Sequence, residues 1–265
     1  PHVSLLVEAR IETTMSSMAI SSIVFACVFG GAMLGMFVHA VLPQHHLSSE
    51  SKDVVKLAMA LVATLCALVL SLLIASAKGS YDAQSGELTQ MSAKVVLVDR
   101  VLAHYGPETK ETRDLLRGSV ARILDQTWSR SHTSTSQLEA PSGGAEILLD
   151  KIQALTPKDD RQRALQAQAT SIVLDLGQTR WLQYAQGSSS ISLPLLVVLV
   201  FWLTTIFVGF GLFAPANATV LTSLLVSALS VSAAILLILE LYTPYSGLIQ
   251  LSSAPLRNAL TELGK

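Results

Sequence analysis

The chain has 265 residues, 51% of them hydrophobic and 14% charged, with a net charge of −1 and a mean hydropathy of +0.51. A soluble domain usually carries about 25% charged residues, so this balance is too apolar for one of this size, and the chain is too patterned for intrinsic disorder. It also supplies no basic field, so no nucleic-acid partner is expected.

In chain order, Pro1–Ser17 carries Glu8, Arg10 and Glu12 and reads as an amphipathic lead-in rather than a cleavable signal. Four long apolar runs follow: Met18–Leu42, Lys56–Ala77, Ile191–Phe213 and Ala218–Leu241. A helix of roughly 22 residues covers the ~30 Å hydrocarbon core, so each run predicts a span and the lipid bilayer is the first partner. Their only ionisable residues are His39, Lys56 and Glu240, each near an end. The division expected is a lead-in over 1–17, a transmembrane hairpin over 18–77, a helical insert over 78–187, a second hairpin over 188–241 and a tail over 242–265. An even number of spans puts both ends and the insert on one side. Arg10, Lys78, Lys94, Arg180 and Arg257 lie there against Lys52 and Lys56 opposite, which predicts a cytoplasmic insert.

The first span holds Ser22, Ala26 and Gly30 at helical spacing, and Gly31 with Gly35 forms a GxxxG. Small residues let helices approach closely in lipid, so Gly31 and Gly35 are packing candidates, toward a neighbouring span or a second subunit. His39, Pro43, His45 and His46 mark a short loop without the Cys or carboxylate partners a metal site needs. Cys27 and Cys66 fall inside spans and read as small hydrophobes. No metal and no cofactor are expected. In the second span Thr64, Ser71 and Lys78 recur every seven residues on one face. A water-contacting pore helix shows such a stripe; so does a packed one.

After Lys78-Gly79-Ser80 the composition turns amphipathic. Tyr81–Tyr105 carries Leu88, Met91, Val95, Val98, Leu102 and Tyr105 on one helix face and ends at Gly106-Pro107. Glu108–Trp128 repeats the pattern with Leu116, Val120 and Trp128. Ser131–Gly144 reads as a loop, then Ala145–Leu155 and Asp159–Tyr184 as helices, the latter with an apolar face of Leu165, Ile172, Leu176 and Trp181. The third span tolerates Pro194 in its first turn, and Ala214-Pro215-Ala216-Asn217 turns the chain into the fourth. There Ser223, Ser227, Ser230 and Ala234 form a second small-residue stripe, read as helix packing. Asn217-Ala218-Thr219 has the form of a sequon, but abuts the span too closely to be used.

The tail runs Glu240-Leu241-Tyr242-Thr243-Pro244-Tyr245-Ser246-Gly247, then extends to Ser252; Ser253 as N-cap and Pro255 in the first turn open a final helix. No HExxH, phosphate loop or nucleophile elbow occurs, and no ionisable residue sits mid-span, so no enzyme is expected.

The tail, with Glu240, Pro244, Tyr245, Gly247 and Pro255, resembles the C-terminal signature of the bestrophin-like membrane proteins, a largely bacterial family of undefined function. Tyr81-Asp82, His104-Tyr105 and Thr112-Arg113-Asp114-Leu115-Leu116-Arg117 look like that family's segment after the second span. The layout is more distantly similar to true bestrophins, pentameric anion channels whose second spans line the pore. That resemblance implies an all-α integral membrane protein of the inner membrane, with four spans and a cytoplasmic helical domain between the second and third. It also implies a homo-oligomer, pentameric by analogy, passing chloride or another small anion. Thr64, Ser71 and Lys78 then become pore-lining candidates, with Leu65, Leu68 and Leu72 as the narrow part. Bestrophins place acidic residues after the Pro-aromatic-Gly to clasp calcium, whereas Ser252, Ser253 and Ala254 stand here, so no such clasp is expected. The other reading is a non-conducting scaffold or sensor whose helical insert binds a partner protein.

Overall fold

The computed structural model describes residues 16–41, 49–129, 143–186, 193–245 and 247–265. Pro43, His45, His46, Ser188–Ser190, Ser246 and most of the lead-in and of the 131–144 loop lie outside them. The described residues are helical, with no strand. In chain order they form α1 (Ser17–Val41), α2 (Ser49–Tyr105), α3 (Lys110–Leu124), α4 (Gly144–Gln153), α5 (Asp160–Gln186), α6 (Leu193–Phe213), α7 (Ala218–Leu241) and α8 (Ala254–Glu262). Four of these, α1, α2, α6 and α7, are long and apolar enough to cross a membrane. Contacts divide the chain into two compact units, Pro1–Gly79 with Ser190–Tyr242, and Ser80–Ser189 with Thr243–Lys265. Gly79 does not interrupt α2, which runs unbroken for 57 residues. One glycine costs a helix only about 1 kcal/mol, and the good helix formers on both sides carry it through.

In the first unit, α1 and α6 pack through their glycines. Gly31 sits against Thr204 and Val208, Gly35 against Val208 and Leu212, and Gly211 against Ala32 and Met36. Four residues along α1 correspond to four along α6, so the two helices run parallel. Ser21 Oγ donates to Ser232 O at 2.8 Å, pairing the start of α1 with the far half of α7. Met59 of α2 fills the space over Gly209 near the end of α6, and Tyr242 Oη donates to Ser76 Oγ at 3.1 Å. The four helices therefore alternate in direction along the chain, with α2 and α7 opposed to α1 and α6. Val28, Ala32, Leu73, Ala77, Leu199, Phe207, Ala228 and Ile235 form the core. Hydrocarbon gives such helices no hydrophobic drive to associate, so backbone approach at Gly31, Gly35 and Gly211 supplies the dispersion contact. The other small stripes lie elsewhere. Ser22, Ala26 and Gly30 are exposed, as are Ser223, Ser227 and Ser230, so neither stripe packs within this chain.

The second unit is a helical bundle around Val98 and Leu102 of α2, Leu116 and Val120 of α3, Ile152 of α4, Ala169 and Val173 of α5, and Leu256 of α8. Gly106 turns the chain from α2 to α3 at φ +143°, a conformation side chains rarely allow, and the Thr109 hydroxyl donates to Leu102 O at 2.6 Å across that turn. Gln166 Nε2 donates to Ile152 O and Leu155 O, satisfying carbonyls at the end of α4. Asp99, 1% exposed, is forked by Arg113 at 2.7 and 2.9 Å and accepts the Gly264 amide at 3.2 Å. In α5 the apolar face differs from the expected one. Leu165, Ile172 and Leu176 turn inward, but Trp181 is 52% exposed and Arg180 takes the next inward position. The spacing 169, 173, 176, 180 follows 3.6 residues per turn, which position 181 overshoots by about 100°.

Candidate functional site

Two places gather the residues singled out by the sequence: the outward face of α2 in the first unit and the C-terminal motif in the second.

Cys66, Leu73 and Ala77 hold α2 to the core along one narrow stripe. At 3.6 residues per turn, Thr64, Leu68 and Ser71 stand opposite that stripe, Leu72 and Lys78 flank them, and Leu65 lies at the edge. All six are exposed, Leu68 and Leu72 at 63% and Leu65 at 41%. Leu57 and Leu61 extend the same leucine row toward the start of α2; they are exposed too, and sequence reasoning missed them. Thr64 Oγ1 donates to Ala60 O at 2.9 Å and Ser71 Oγ to Ala67 O at 2.8 Å. Their protons are spent within the helix, so only oxygen lone pairs face outward. The face is thus a leucine row edged by hydroxyl acceptors, with a lysine at one end.

In the second unit the C-terminal motif is a closed loop. Pro244 is buried, and its carbonyl accepts the Leu251 amide at 2.8 Å. Gly247 lies at φ +114°, which explains a glycine at the turn of Pro-Tyr-Ser-Gly. Tyr245 packs edge-on against Trp128, ring centroids 6.5 Å apart, and Trp128 Nε1 donates to Leu251 O at 2.9 Å. Trp128 sits in a π-helical turn, Asp125–Ser129, at the end of α3. Tyr81 Oη reaches Gln250 O at 3.4 Å, a weak bond. Trp128 and Leu251 were not legible as partners. The only signal was Trp128 closing the apolar face of its helix.

Burial pushes the Tyr245 phenol up to about 12, with Glu87 adding to the rise and Arg180 opposing it. Burial likewise lowers the Arg180 guanidinium, against the pull of Tyr245, but arginine stays charged at any physiological pH. Pro255 occupies the first turn of α8, and Ser253 stands at the N-cap without a side-chain bond; Ser252 Oγ accepts the Ala254 amide at 3.2 Å instead. In the first unit, Glu240 is buried in the last turn of α7 and engaged there.

The bestrophin calcium clasp does not fit these residues. Calcium needs six to eight oxygens with several carboxylates, and Ser252, Ser253 and Ala254 bring none. Among the described residues, no three His, Cys, Asp or Glu side chains converge.

Four membrane-length helices in alternating directions, in a chain whose described residues hold no strand, define a multi-span helical membrane protein. The Bestrophin-like domain family matches residues 26–256, from within α1 to within α8, and the chain belongs to the bestrophin-like family. No curated protein and no solved structure matches it.

Proposed function

We propose that this bestrophin-like protein is a homo-oligomeric channel, with copies of α2 arranged around a central pore that passes chloride or another small anion. In this reading it is not an enzyme. It sits in a bacterial inner membrane with the second unit in the cytoplasm, and its ring is a pentamer by its likeness to bestrophins. The observation that carries the reading is the outward face of α2. Its own chain leaves that side of the span uncovered along its length. Leu65, Leu68 and Leu72 then form a hydrophobic constriction that gates by dewetting, and Thr64 and Ser71 edge it. Lys78, at one end of the face, concentrates anions there.

Native mass of the detergent-solubilised complex and currents from reconstituted protein test this. A ring of four or more copies that conducts, with current altered by Leu68→Trp, supports it. A monomer, or a ring silent at every voltage under a KCl gradient, sinks it. One observation favours the scaffold reading instead. Leu174, Trp181 and Leu182 are exposed on α5, in the second unit. A silent ring that retains a partner through α5 is the outcome which selects that reading.

A further inference from the structure

Asp125–Ser129, the turn that follows α3, is π-helical. A π turn closes each N–H on the carbonyl five residues back rather than four, so it holds one residue more than an α turn. That residue decides which side chain faces the core. Thr112, Leu116 and Val120 are the buried positions of α3. Seven residues make two α turns, so a continued α register gives the next inward place to Thr127 and turns Trp128 about 100° further round. The extra residue brings Trp128 inward instead, against the core of the second unit. There its indole Nε1 donates to the carbonyl of buried Leu251 at 2.9 Å, and its ring meets Tyr245 edge-on. The loop held in this way is closed at its base by the Leu251 amide on Pro244 O at 2.8 Å. The sequence carries a trace of the shift. Leu116, Val120, Leu124 and Trp128 stand four apart, and three steps of four overrun three α turns by about one residue, the one that the π turn takes up.

We propose that Asp125–Ser129 is a register latch on the C-terminal motif loop. In π register it presents Trp128 and holds the Pro244–Leu251 loop. In α register it presents Thr127, withdraws the indole from Leu251 O and lets the loop go. The change leaves α3 folded, because only the backbone hydrogen bonds of its last turn move by one residue. The two registers oppose one another: α geometry is the better helix, while the indole bond and the aromatic contact favour the π turn. Pro244 follows the end of α7 by three residues, so the latch sets how firmly the chain leaving the last membrane-length helix is fastened. It does not rest on conduction, because a silent protein has the same turn.

Amide hydrogen exchange and limited proteolysis of the full chain in detergent test this, with Trp128→Phe as the released reference. In that variant, exchange of the Leu251 amide and cleavage near Gly247 are expected to rise about tenfold, the worth of one such hydrogen bond. The deciding variant combines Thr127→Trp with Trp128→Thr. It sets the indole on the inward place of the α register, so its loop is expected to stay as closed as in the unaltered protein. Deletion of Gln126 removes the extra residue and keeps the tryptophan inward in an α turn. With no second register to visit, that loop is expected to exchange and be cut several-fold more slowly. A double variant as open as Trp128→Phe overturns the proposal, because the turn then has one register only. So does a Gln126 deletion that leaves the loop unchanged or opens it, or a Trp128→Phe loop no more open than the unaltered one. Should the deletion fail to fold, the double variant decides alone. Both readouts are taken without current, so their failure alongside intact currents removes the latch and leaves the pore.

Discussion

Arg113 of α3 grips the Asp99 carboxylate of α2 through both oxygens, at 2.7 and 2.9 Å, and the Gly264 amide closes on the same carboxylate at 3.2 Å. Two consecutive helices and a glycine 165 residues further along the chain meet on one buried charge. Burial pushes the Asp99 carboxyl up, but the Arg113 fork, the Gly264 amide and the charge of Arg100 outweigh it and leave it below its ordinary value. Arg113→Ala strands that carboxylate without its partner. The expected cost is about 3 kcal/mol, seen as a lower Tm of the detergent-solubilised protein. Asp99→Asn in the same background should restore part of the loss, because it removes the uncompensated charge.

The same pair sets a pH dependence. A carboxyl whose folded pKa is depressed contributes stability that is complete above the unfolded value, about 3.9, and is lost as pH falls through the folded one. The Asp99 contribution to Tm should therefore be flat from pH 7 to about 5 and decline only below about 4. Melting the Asp99→Asn variant alongside isolates it. A difference between the two proteins that changes near pH 6 would contradict the assignment.

Gly35 and Gly30 are both small residues on α1, yet they have different surroundings. A methyl group added at Gly35 would run into the Val208 backbone, while one at Gly30 meets nothing. Gly35→Ala should destabilise the first unit by about 1–3 kcal/mol through overpacking. Gly30→Ala should be neutral or stabilise by up to about 1 kcal/mol, from helix propensity alone. Paired thermal melts decide it. Equal effects from the two substitutions would contradict parallel packing of α1 on α6.

These glycines also show where the sequence stops being readable. The spans were legible because hydrocarbon demands some 20 apolar residues per helix, and nothing else in a protein needs that pattern. The run Ala218–Leu241 coincides with α7 to the residue. Which small face of α1 is buried was not legible, since Ser22-Ala26-Gly30 and Gly31-Gly35 have the same spacing and only the neighbouring helix chooses between them. The composition change at Lys78-Gly79-Ser80 does mark where the two compact units divide, but it ends no helix, because backbone hydrogen bonds within a helix do not depend on side-chain polarity, and α2 continues. In α5 the period of 3.6 left positions 180 and 181 competing for the inward place, and hydropathy favoured the tryptophan. The Trp128–Leu251 bond joins residues 123 apart in the chain and has no local signature.

That bond is testable. Trp128→Phe keeps an aromatic ring against Tyr245 but removes the indole donor from Leu251 O, whose residue is buried. A buried carbonyl left without its donor costs about 1–3 kcal/mol. The Tm should fall accordingly, and protease should cut the loop around Gly247 faster than in the unaltered chain. Should cleavage there be unchanged, the indole does not hold the C-terminal loop.

The hydroxyls of the α2 face separate two kinds of pore. If Thr64 and Ser71 donated hydrogen bonds to a passing anion, removing either hydroxyl would reduce current strongly. Their protons are instead bonded to Ala60 O and Ala67 O one turn earlier, and an anion gains nothing from the lone pairs that remain. Ser71→Ala should therefore leave unitary anion current within about twofold, a barrier change of some 0.4 kcal/mol. Leu68→Gln and Leu72→Gln should raise current several-fold, because an amide in place of an exposed leucine lets water wet the constriction. Both are read in planar bilayers at symmetric chloride. Loss of current in Ser71→Ala with none of this gain at Leu68 would mean that the hydroxyls rotate outward to serve the ion and that the leucine row faces lipid.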